Sequence, residues 1–297
     1  MNHNPYILVT GANGQLGREL QALVEQQYLT AVQFVFADIE QLDICDAEAV
    51  YAFFRQYSIA WCINCAAYTA VDKAESDIDN AIKVNVTGAE NLAKACDRFL
   101  AKYIHLSTDY VYHNQQNTPY VETDETNPQS VYGLTKLQGE IKAMEACFNT
   151  LVIRTSWVYS SYGNNFVKTM LRLGSERSQL SVIFDQIGSP TYAGDLAKAI
   201  LDILLKIEAK QVEDWRGIYH YSNEGVCSWY DFATAIFKLS NINCQVLPIE
   251  TKAYPTPAKR PHFSLLNKAK VKTSFSLVIP HWQESLEKCL EKLKLSK

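Results

Sequence analysis

A tyrosine and a lysine spaced by four residues are the side chains of this sequence best suited to acid–base chemistry. Tyr132 and Lys136 lie in VYGLTK (131–136), downstream of STDYVY (107–112). On a helix these two positions share one face, so the ammonium is expected to lower the pKa of the phenol and prepare it for proton transfer. Thr108 follows an apolar run and is expected to hydrogen-bond the same substrate oxygen.

A glycine-rich turn follows the first apolar run, YILVT (6–10). The segment GANGQLG places Gly11, Gly14 and Gly17 immediately before a helical pattern that starts near Gln15. Glycine permits a tight turn and close backbone approach, and the N-terminus of the following helix offers free N–H groups to a pyrophosphate. Strand, glycines and helix come in the order of a βαβ unit, which predicts dinucleotide binding.

Two acidic residues follow the second apolar run, QFVFA (33–37). Asp38 could accept a hydrogen bond from an adenosine ribose hydroxyl, which favours NADH, or it could be a solvated turn residue. The choice between NADPH and NADH therefore stays open. Asp43 and Ile44 suit the edge and face of an adenine, although Asp43 could instead cap the helix beginning near Asp46.

Short apolar runs alternate with helix-length segments in the first half of the chain. The helix predicted over 79–98 has small and apolar residues on one face, namely Ile82, Val86, Ala89, Ala93 and Cys96. The runs predicted as strands are 6–10, 33–37, 60–64, 102–107 and 150–154. This alternation predicts an α/β fold of Rossmann type, a doubly wound parallel sheet that binds ligands at the carboxyl ends of its strands.

The alternation loosens beyond about residue 155. Helices are predicted near 164–174, 192–209, 228–239 and 282–294. We predict an NAD(P)-binding Rossmann domain over 1–155 that carries the catalytic residues, and a smaller C-terminal α/β substrate-binding cap over 156–297. Segments near 185–225 are expected to return to the Rossmann sheet.

Composition and charge exclude several classes of protein. Apolar residues make up 47% and charged residues 20%, as in ordinary globular proteins, and the formal net charge is -4, which argues against nucleic acid as a partner. No signal-peptide pattern and no long apolar run occurs, so we predict no membrane partner. The eight cysteines are scattered, Cys62 and Cys65 included, which suits buried thiols of a cytoplasmic protein.

The order of glycine-rich turn, strand-end Ser-Thr and YxxxK is typical of short-chain dehydrogenases/reductases. Longer segments resemble one branch of the extended group, the dTDP-4-dehydrorhamnose reductases. The resemblance runs from about Tyr6 to Leu290 and rests on NCAAYTAVDKAE (64–75), STDYVY, NPQSVYGLTKLQGE (127–140), RTSWVYSSYGNNFVKTMLRL (154–173), DQIGSPTY (185–192) and YPTPAKRP (254–261).

The resemblance implies a reaction and roles for the residues that carry it. A nicotinamide hydride would reduce the C4 keto group of dTDP-4-dehydro-L-rhamnose (dTDP-4-dehydro-6-deoxy-L-mannose), giving dTDP-L-rhamnose, the last step of dTDP-rhamnose biosynthesis for surface polysaccharides. Tyr132 would protonate the alkoxide, Lys136 would hold the nicotinamide ribose, and Thr108 would steady the oxygen. The cofactor residues would be Gly11, Asn13, Gly14, Gln15, Leu16, Asp38, Asp43, Ile44, Ala66, Ala67, Tyr68 and Asn85.

On the substrate side, the resemblance assigns the sugar and phosphate contacts. Trp157 would wall the sugar pocket, although it could be a core aromatic, while Lys168 and Arg260 would bind phosphates, although both could be solvated charges. The substrate-binding set is Thr108, Asp109, Tyr132, Trp157, Asn165, Phe166, Lys168 and Arg260.

The resemblance also bears on metals and oligomers. It allows a homodimer and Mg²⁺, because some members are described as magnesium-dependent through acidic residues near a dimer contact. Glu19 could be one such acid, but Gly194 stands where a second would help, so we predict no metal site.

Two other functions remain open at this point. A nucleotide-sugar epimerase or 4,6-dehydratase shares the fold, but the dehydratases commonly carry an Asp-Glu pair after the strand-end threonine, whereas Thr108-Asp109 is followed here by Tyr110. A non-catalytic NADP-binding regulatory subunit would not need an activated phenol. The reductase therefore leads.

Overall fold

The computed structural model describes residues 5–26 and 32–295. In this part of the chain the strands are β1 (Tyr6–Thr10), β2 (Gln33–Ala37), β3 (Ile59–Asn64), β4 (Lys102–Thr108), β5 (Thr150–Thr155), β6 (Val158–Tyr159), β7 (Gln179–Ile183), β8 (Ile187–Gly188), β9 (Thr191–Tyr192), β10 (Gly217–Tyr221), β11 (Cys227–Ser228) and β12 (Gln245–Ile249). The helices are α1 (Gln15–Glu25), α2 (Ala47–Gln56), α3 (Val71–Ala74), α4 (Ile78–Ile82), α5 (Ala89–Arg98), α6 (Val131–Ala146), α7 (Phe166–Glu176), α8 (Ala193–Glu208), α9 (Trp229–Ser240), α10 (Ala269–Phe275) and α11 (Trp282–Leu295).

Six parallel strands form the central sheet in the order β10-β5-β4-β3-β1-β2. The five apolar runs predicted as strands all lie in it, which confirms the Rossmann-type fold. The sixth strand, β10, pairs with β5 and comes from the region near 185–225. The domain bounds at residues 155 and 156 stay a prediction.

Alternating strand residues send side chains into two separate cores, one on each face of the sheet. Ile7 and Val9 of β1 pack with α1, α8 and α10, whereas Leu8 packs with α2, α5 and α6. This follows from the two-residue period of a strand. Helices α7, α9 and α11 form a third core with the short strand pairs β7-β12, β8-β11 and β6-β9.

The helix predicted over 79–98 is interrupted by a π-helical turn at Lys83–Gly88. Such a turn inserts one extra residue, so the buried positions before it are displaced by one from the predicted stripe. Ala81 and Asn85 are buried, while Ile82 is 40% exposed and Val86 is half-buried. The stripe was therefore wrong at Ile82 and Val86 but right from Ala89 onwards.

No helix within residues 5–26 and 32–295 is long and apolar enough to cross a membrane.

Candidate active site

A cavity of about 960 Å³ runs along the carboxyl ends of β1 to β5. Every predicted cofactor residue except Asn85 lines it. At its other end are Thr108, Asp109, Tyr132, Lys136 and Trp157. One cavity therefore contains both the predicted catalytic residues and most of the predicted cofactor residues, although they lie far apart in the sequence. This is expected at the carboxyl edge of a doubly wound sheet.

The glycine-rich turn brings β1 and β3 into close contact. Gly11 has a φ of +63°, and a Cβ there would lie 2.6 Å from the Ala66 backbone nitrogen. Gly14 is the N-cap of α1 and makes no side-chain capping bond, so the first N–H groups of that helix remain available to an anion. This cradle fits the pyrophosphate of a dinucleotide.

Asp38 holds the glycine-rich turn. One carboxylate oxygen accepts from the Asn13 backbone N–H at 2.7 Å and the other accepts from that of Ile39 at 2.8 Å. Asp38 is therefore not merely a solvated turn residue, because it fixes the loop that a dinucleotide would approach.

Asp43 lies in the cavity wall and does not cap α2. Its carboxylate accepts from the Cys45 backbone N–H at 2.9 Å, whereas Asp46 is the N-cap and accepts from Glu48 and Ala49. The capping alternative for Asp43 was wrong. Because Asp46 caps the helix itself, Asp43 stays in the wall of the cavity beside Ile44.

Asn85 lies behind the cavity wall. The π-helical turn brings it against Tyr68, whose backbone N–H donates to the Asn85 side chain at 2.8 Å; its amide in turn donates to the Tyr68 carbonyl at 3.2 Å and to the Thr135 hydroxyl at 3.0 Å. Asn85 therefore acts by holding the segment after β3 in place rather than by lining the cavity.

The catalytic candidates lie between β4 and the first turns of α6. Ser130 caps α6 by accepting from the Gly133 N–H, and the helix then presents Tyr132 and Lys136 on one face. The Lys136 ammonium donates to the Leu106 carbonyl oxygen at 2.6 Å, and burial lowers its pKa to about 8.

The expected lowering of the Tyr132 pKa was wrong. Burial raises the pKa of this phenol to about 12, a hydrogen bond with Thr108 lowers it in part, and the Asp109 charge raises it further. Helical spacing correctly predicted the shared face, but desolvation of the phenolate exceeds the favourable contacts. The phenol is consequently protonated at neutral pH, as a proton donor must be.

Asp109 is buried beside the catalytic candidates, with a relative exposure of 1%. It accepts from the Thr108 hydroxyl at 3.1 Å, and burial raises its pKa to about 6. A pKa above the ordinary carboxyl value means that the folded state holds the proton more tightly than the unfolded chain. The contribution of Asp109 to the free energy of unfolding is therefore largest in acid and falls as pH rises from about 4 to about 6.

Replacing Asp109 by asparagine is expected to remove this pH dependence. A shift of about two pKa units corresponds to about 3 kcal/mol. The free energy of unfolding of Asp109→Asn should therefore exceed that of the wild type by up to this amount at about pH 8, and by almost nothing at about pH 4. Urea unfolding at both pH values measures the difference. The matched control is Asp214→Asn on the surface, where Asp214 is 89% exposed; equal gains in both variants would contradict the argument.

Trp157 lies in the cavity wall with a left-handed backbone, at a φ of +47°. Its ring stacks on Trp229 at a centroid distance of 3.7 Å, and Gly188 leaves room for it, since a Cβ there would lie 2.9 Å from the ring. Trp157 therefore lines the cavity and also packs against the third core, and its contact with the sugar stays a prediction. Trp229 was not predicted, because no local spacing links it to a residue 72 positions earlier.

Four predicted substrate residues do not line the cavity. Asn165 caps α7 and donates to the Gln15 side chain at 2.9 Å, while Phe166 packs against Trp229. The Lys168 ammonium donates to the carbonyl of Gly163 at 2.8 Å. These contacts tie the start of α7 to the glycine-rich turn of the sheet.

The fourth residue, Arg260, is bound to an acid from the first half of the chain. Its guanidinium donates to both Asp72 carboxylate oxygens, at 3.0 and 2.7 Å. The charge of Arg260 is therefore paired, in an ion pair that is partly exposed, with a relative side-chain exposure of 23% for Arg260 and 41% for Asp72. The substrate roles of Asn165, Phe166, Lys168 and Arg260 stay predictions.

Glu19 does not fit a magnesium site. Its buried carboxylate accepts from the Lys292 ammonium at 2.7 Å and from the Ser160 hydroxyl at 2.6 Å. A lysine of α11 thus already neutralises the charge that would attract a cation, and Gly194 supplies no oxygen ligand from its side chain.

Fold and site together define the class of protein. A parallel six-stranded sheet, a glycine-rich turn after its first strand and a Thr108–Tyr132–Lys136 cluster in one cavity are the features of a short-chain dehydrogenase/reductase. Residues 5–295 match the family model described as the RmlD substrate binding domain, and the chain belongs to this family.

Similar proteins agree with this placement. A dTDP-4-dehydrorhamnose reductase of Aggregatibacter actinomycetemcomitans is 41% identical over 95% of this chain and 97% of its own. One of Escherichia coli strain K12 is 42% identical over 97% of both chains. The crystal structure of a Bacillus anthracis dTDP-4-dehydrorhamnose reductase in complex with NADP has a TM-score of 0.91 at 38% identity, covering 98% of this chain and 100% of that one.

Proposed function

We propose that this protein reduces the C4 keto group of dTDP-4-dehydro-L-rhamnose with NADPH or NADH and releases dTDP-L-rhamnose. The observation that carries the proposal is that Thr108, Tyr132 and Lys136 line the same cavity as the glycine-rich turn, in a chain that is similar over at least 95% of its length to named dTDP-4-dehydrorhamnose reductases. The dinucleotide, when bound, supplies the hydride.

The residues of the chain supply the proton and the geometry. Tyr132, protonated at neutral pH, donates its proton to the C4 oxygen as negative charge develops there, so that one hydride and one proton convert the ketone to an alcohol. The Thr108 hydroxyl contacts the phenol and is placed to donate to the same oxygen. The Lys136 cation stabilises the phenolate that the transfer leaves behind.

The wall residues would hold the dinucleotide along the cavity. Gly11, Gly14 and the first N–H groups of α1 suit the pyrophosphate, and Asp43 with Ile44 suits the adenosine. The segment after β3, fixed by Asn85, would run along the nicotinamide half.

The sugar nucleotide would occupy the remaining end of the cavity. Trp157 offers an aromatic face to the sugar and Asp109 a carboxylate to a sugar hydroxyl. Lys168 and Arg260 are proposed for the dTDP phosphates. Because Arg260 is already held by Asp72, binding of a phosphate there would have to compete with that ion pair.

A turnover assay tests the function. Purified protein with dTDP-4-dehydro-L-rhamnose should oxidise NADPH or NADH, and the product should be the dTDP-6-deoxyhexose with a C4 hydroxyl. Binding of the dinucleotide without turnover would instead support a regulatory subunit. Equal rates with UDP- or GDP-linked 4-keto sugars would contradict the assignment of the nucleotide.

Location and assembly are proposed on narrower grounds. The eight cysteines are all free thiols, six of them buried, which favours the reducing cytoplasm. A homodimer is proposed from the family resemblance, and sedimentation velocity of the purified protein tests it.

A further inference from the structure

Two residues at the end of β4 bind two residues of α6, one helical turn apart. The Leu106 carbonyl accepts from the Lys136 ammonium at 2.6 Å, and the Ser107 hydroxyl donates to the Glu140 carboxylate. Glu140 follows Lys136 by four residues, just as Lys136 follows Tyr132. The catalytic face of α6 therefore continues into a buried acid that lies outside the cavity.

A row of polar side chains crosses the sheet beneath Glu140. Ser107, Arg154 and His220 are register neighbours on three adjacent strands. Arg154 donates to both carboxylate oxygens of Glu140, from Nε to Oε1 at 3.0 Å and from Nη2 to Oε2 at 2.6 Å. Its Nη1 donates to the Tyr112 hydroxyl at 2.5 Å, and that hydroxyl is hydrogen-bonded to Nε2 of the His220 ring at 2.9 Å.

The whole row is withdrawn from water. Glu140 has a relative exposure of 0%, Arg154 of 2% and His220 of 0%. Burial and the Arg154 charge lower the pKa of His220 to about 3, so the histidine is neutral. Arg154 and Glu140 are thus the charged groups of the row, and each is held by several hydrogen bonds.

Glu140 lies one helical turn after the catalytic lysine on α6, and the two side chains bind neighbouring residues of β4. Burial lowers the pKa of Lys136, and the Glu140 charge acts against that effect. The other titratable groups close to the ammonium are Tyr132, one turn earlier on α6, Cys65, after β3, and His105 of β4. The pKa of His105 is lowered by burial and by the Lys136 charge. The neutral His105 adds no charge of its own.

We propose that Glu140 is a positioning residue that keeps the Lys136 ammonium charged and directed at the site, and that Arg154 fixes Glu140 in place. The proposal deepens the proposed function and rests on it for the catalytic role of Lys136. A carboxylate needed only for packing would be indifferent to the protonation of the lysine. The two readings therefore differ in what they predict for Lys136 itself.

The test is a direct titration of Lys136 in the protein without substrate or dinucleotide. ¹³C NMR of protein labelled at lysine Cε, with the signal assigned by Lys136→Met, gives the pKa in the wild type and in Glu140→Gln. Glutamine keeps the shape and can still accept from Arg154. We expect the Lys136 pKa to fall by about one unit or more, and the alkaline limb of the kcat profile to move down with it.

Two further variants separate this role from a structural one. Glu145→Gln makes the same change on the same helix at an exposed pair with Lys142 and should leave the Lys136 pKa unchanged. If Glu140→Gln does not fold, Glu140→Gln combined with Arg154→Met removes both charges of the row, and the Lys136 pKa should still fall.

The outcomes distinguish the two proposals. An unchanged Lys136 pKa in a folded variant without the Glu140 charge would overturn the positioning role, even if stability fell. A lowered pKa in a protein whose wild type shows no turnover would leave this inference standing and reject the proposed function instead.

Discussion

Replacing Tyr132 by phenylalanine is expected to lower kcat by roughly 10³-fold while the protein stays folded and still binds the dinucleotide. The variant keeps the ring, which packs edge-to-face on Tyr110 at a centroid distance of 5.5 Å, and removes only the hydroxyl. Without it, the alkoxide that forms at C4 has Thr108 as a hydrogen-bond donor but no proton source of comparable position. KM should change little, because the loss falls on the transition state.

The neighbouring ring provides the control for that experiment. Tyr110 also lines the cavity, and burial raises its pKa as it does that of Tyr132. Tyr110→Phe removes a hydroxyl of the same chemistry a few ångströms away and should leave kcat within about threefold of the wild type. A comparable loss in both variants would show that Tyr132 has no special part in proton transfer.

Five of the six strands of the central sheet were predictable because each is a short apolar run that contains β-branched or aromatic residues. The two-residue period of a strand divides its side chains between two cores. In β1, Ile7 and Val9 enter one core and Leu8 enters the other. The π-helical turn at Lys83–Gly88 was not predictable. The apolar periodicity of the sequence does not reveal its extra residue. The turn places Asn85 where its side chain accepts a hydrogen bond from the Tyr68 backbone N–H, a contact that the sequence does not predict.

The sequence predicted which residues belong to the site better than it predicted their partners and pKa values. The spacing of Tyr132 and Lys136 fixed their common face, yet the direction of the Tyr132 pKa depended on burial, which local spacing does not report. Arg260 was expected to meet phosphate, but its partner Asp72 lies 188 residues away. Long-range ion pairs of this kind are set by how the segments fold over the sheet.

The glycine-rich turn leads to the second large effect. The substitution Gly11→Ala is expected to lower the free energy of unfolding by about 2 to 5 kcal/mol and to weaken dinucleotide binding at least about tenfold. The residue has a φ of +63°, which costs an L-residue energy, and its new Cβ would meet the backbone of Ala66 at 2.6 Å. Ala66 follows directly on β3, which pairs with β1 inside the sheet, so its backbone can give way only if the chain segments after β1 and β3 separate at the cavity.

Gly163 allows the two costs to be measured separately. Its φ of +62° carries nearly the same conformational cost, but a Cβ there would meet only the Gln15 side chain, at 3.0 Å from Cγ, and that side chain can move. Gly163→Ala should therefore lose only about 1 to 2 kcal/mol. Urea unfolding of both variants, with fluorescence titration of NADPH, gives the comparison. Equal losses would mean that the close approach of Gly11 to Ala66 does not constrain the turn, and that backbone conformation alone accounts for the glycine.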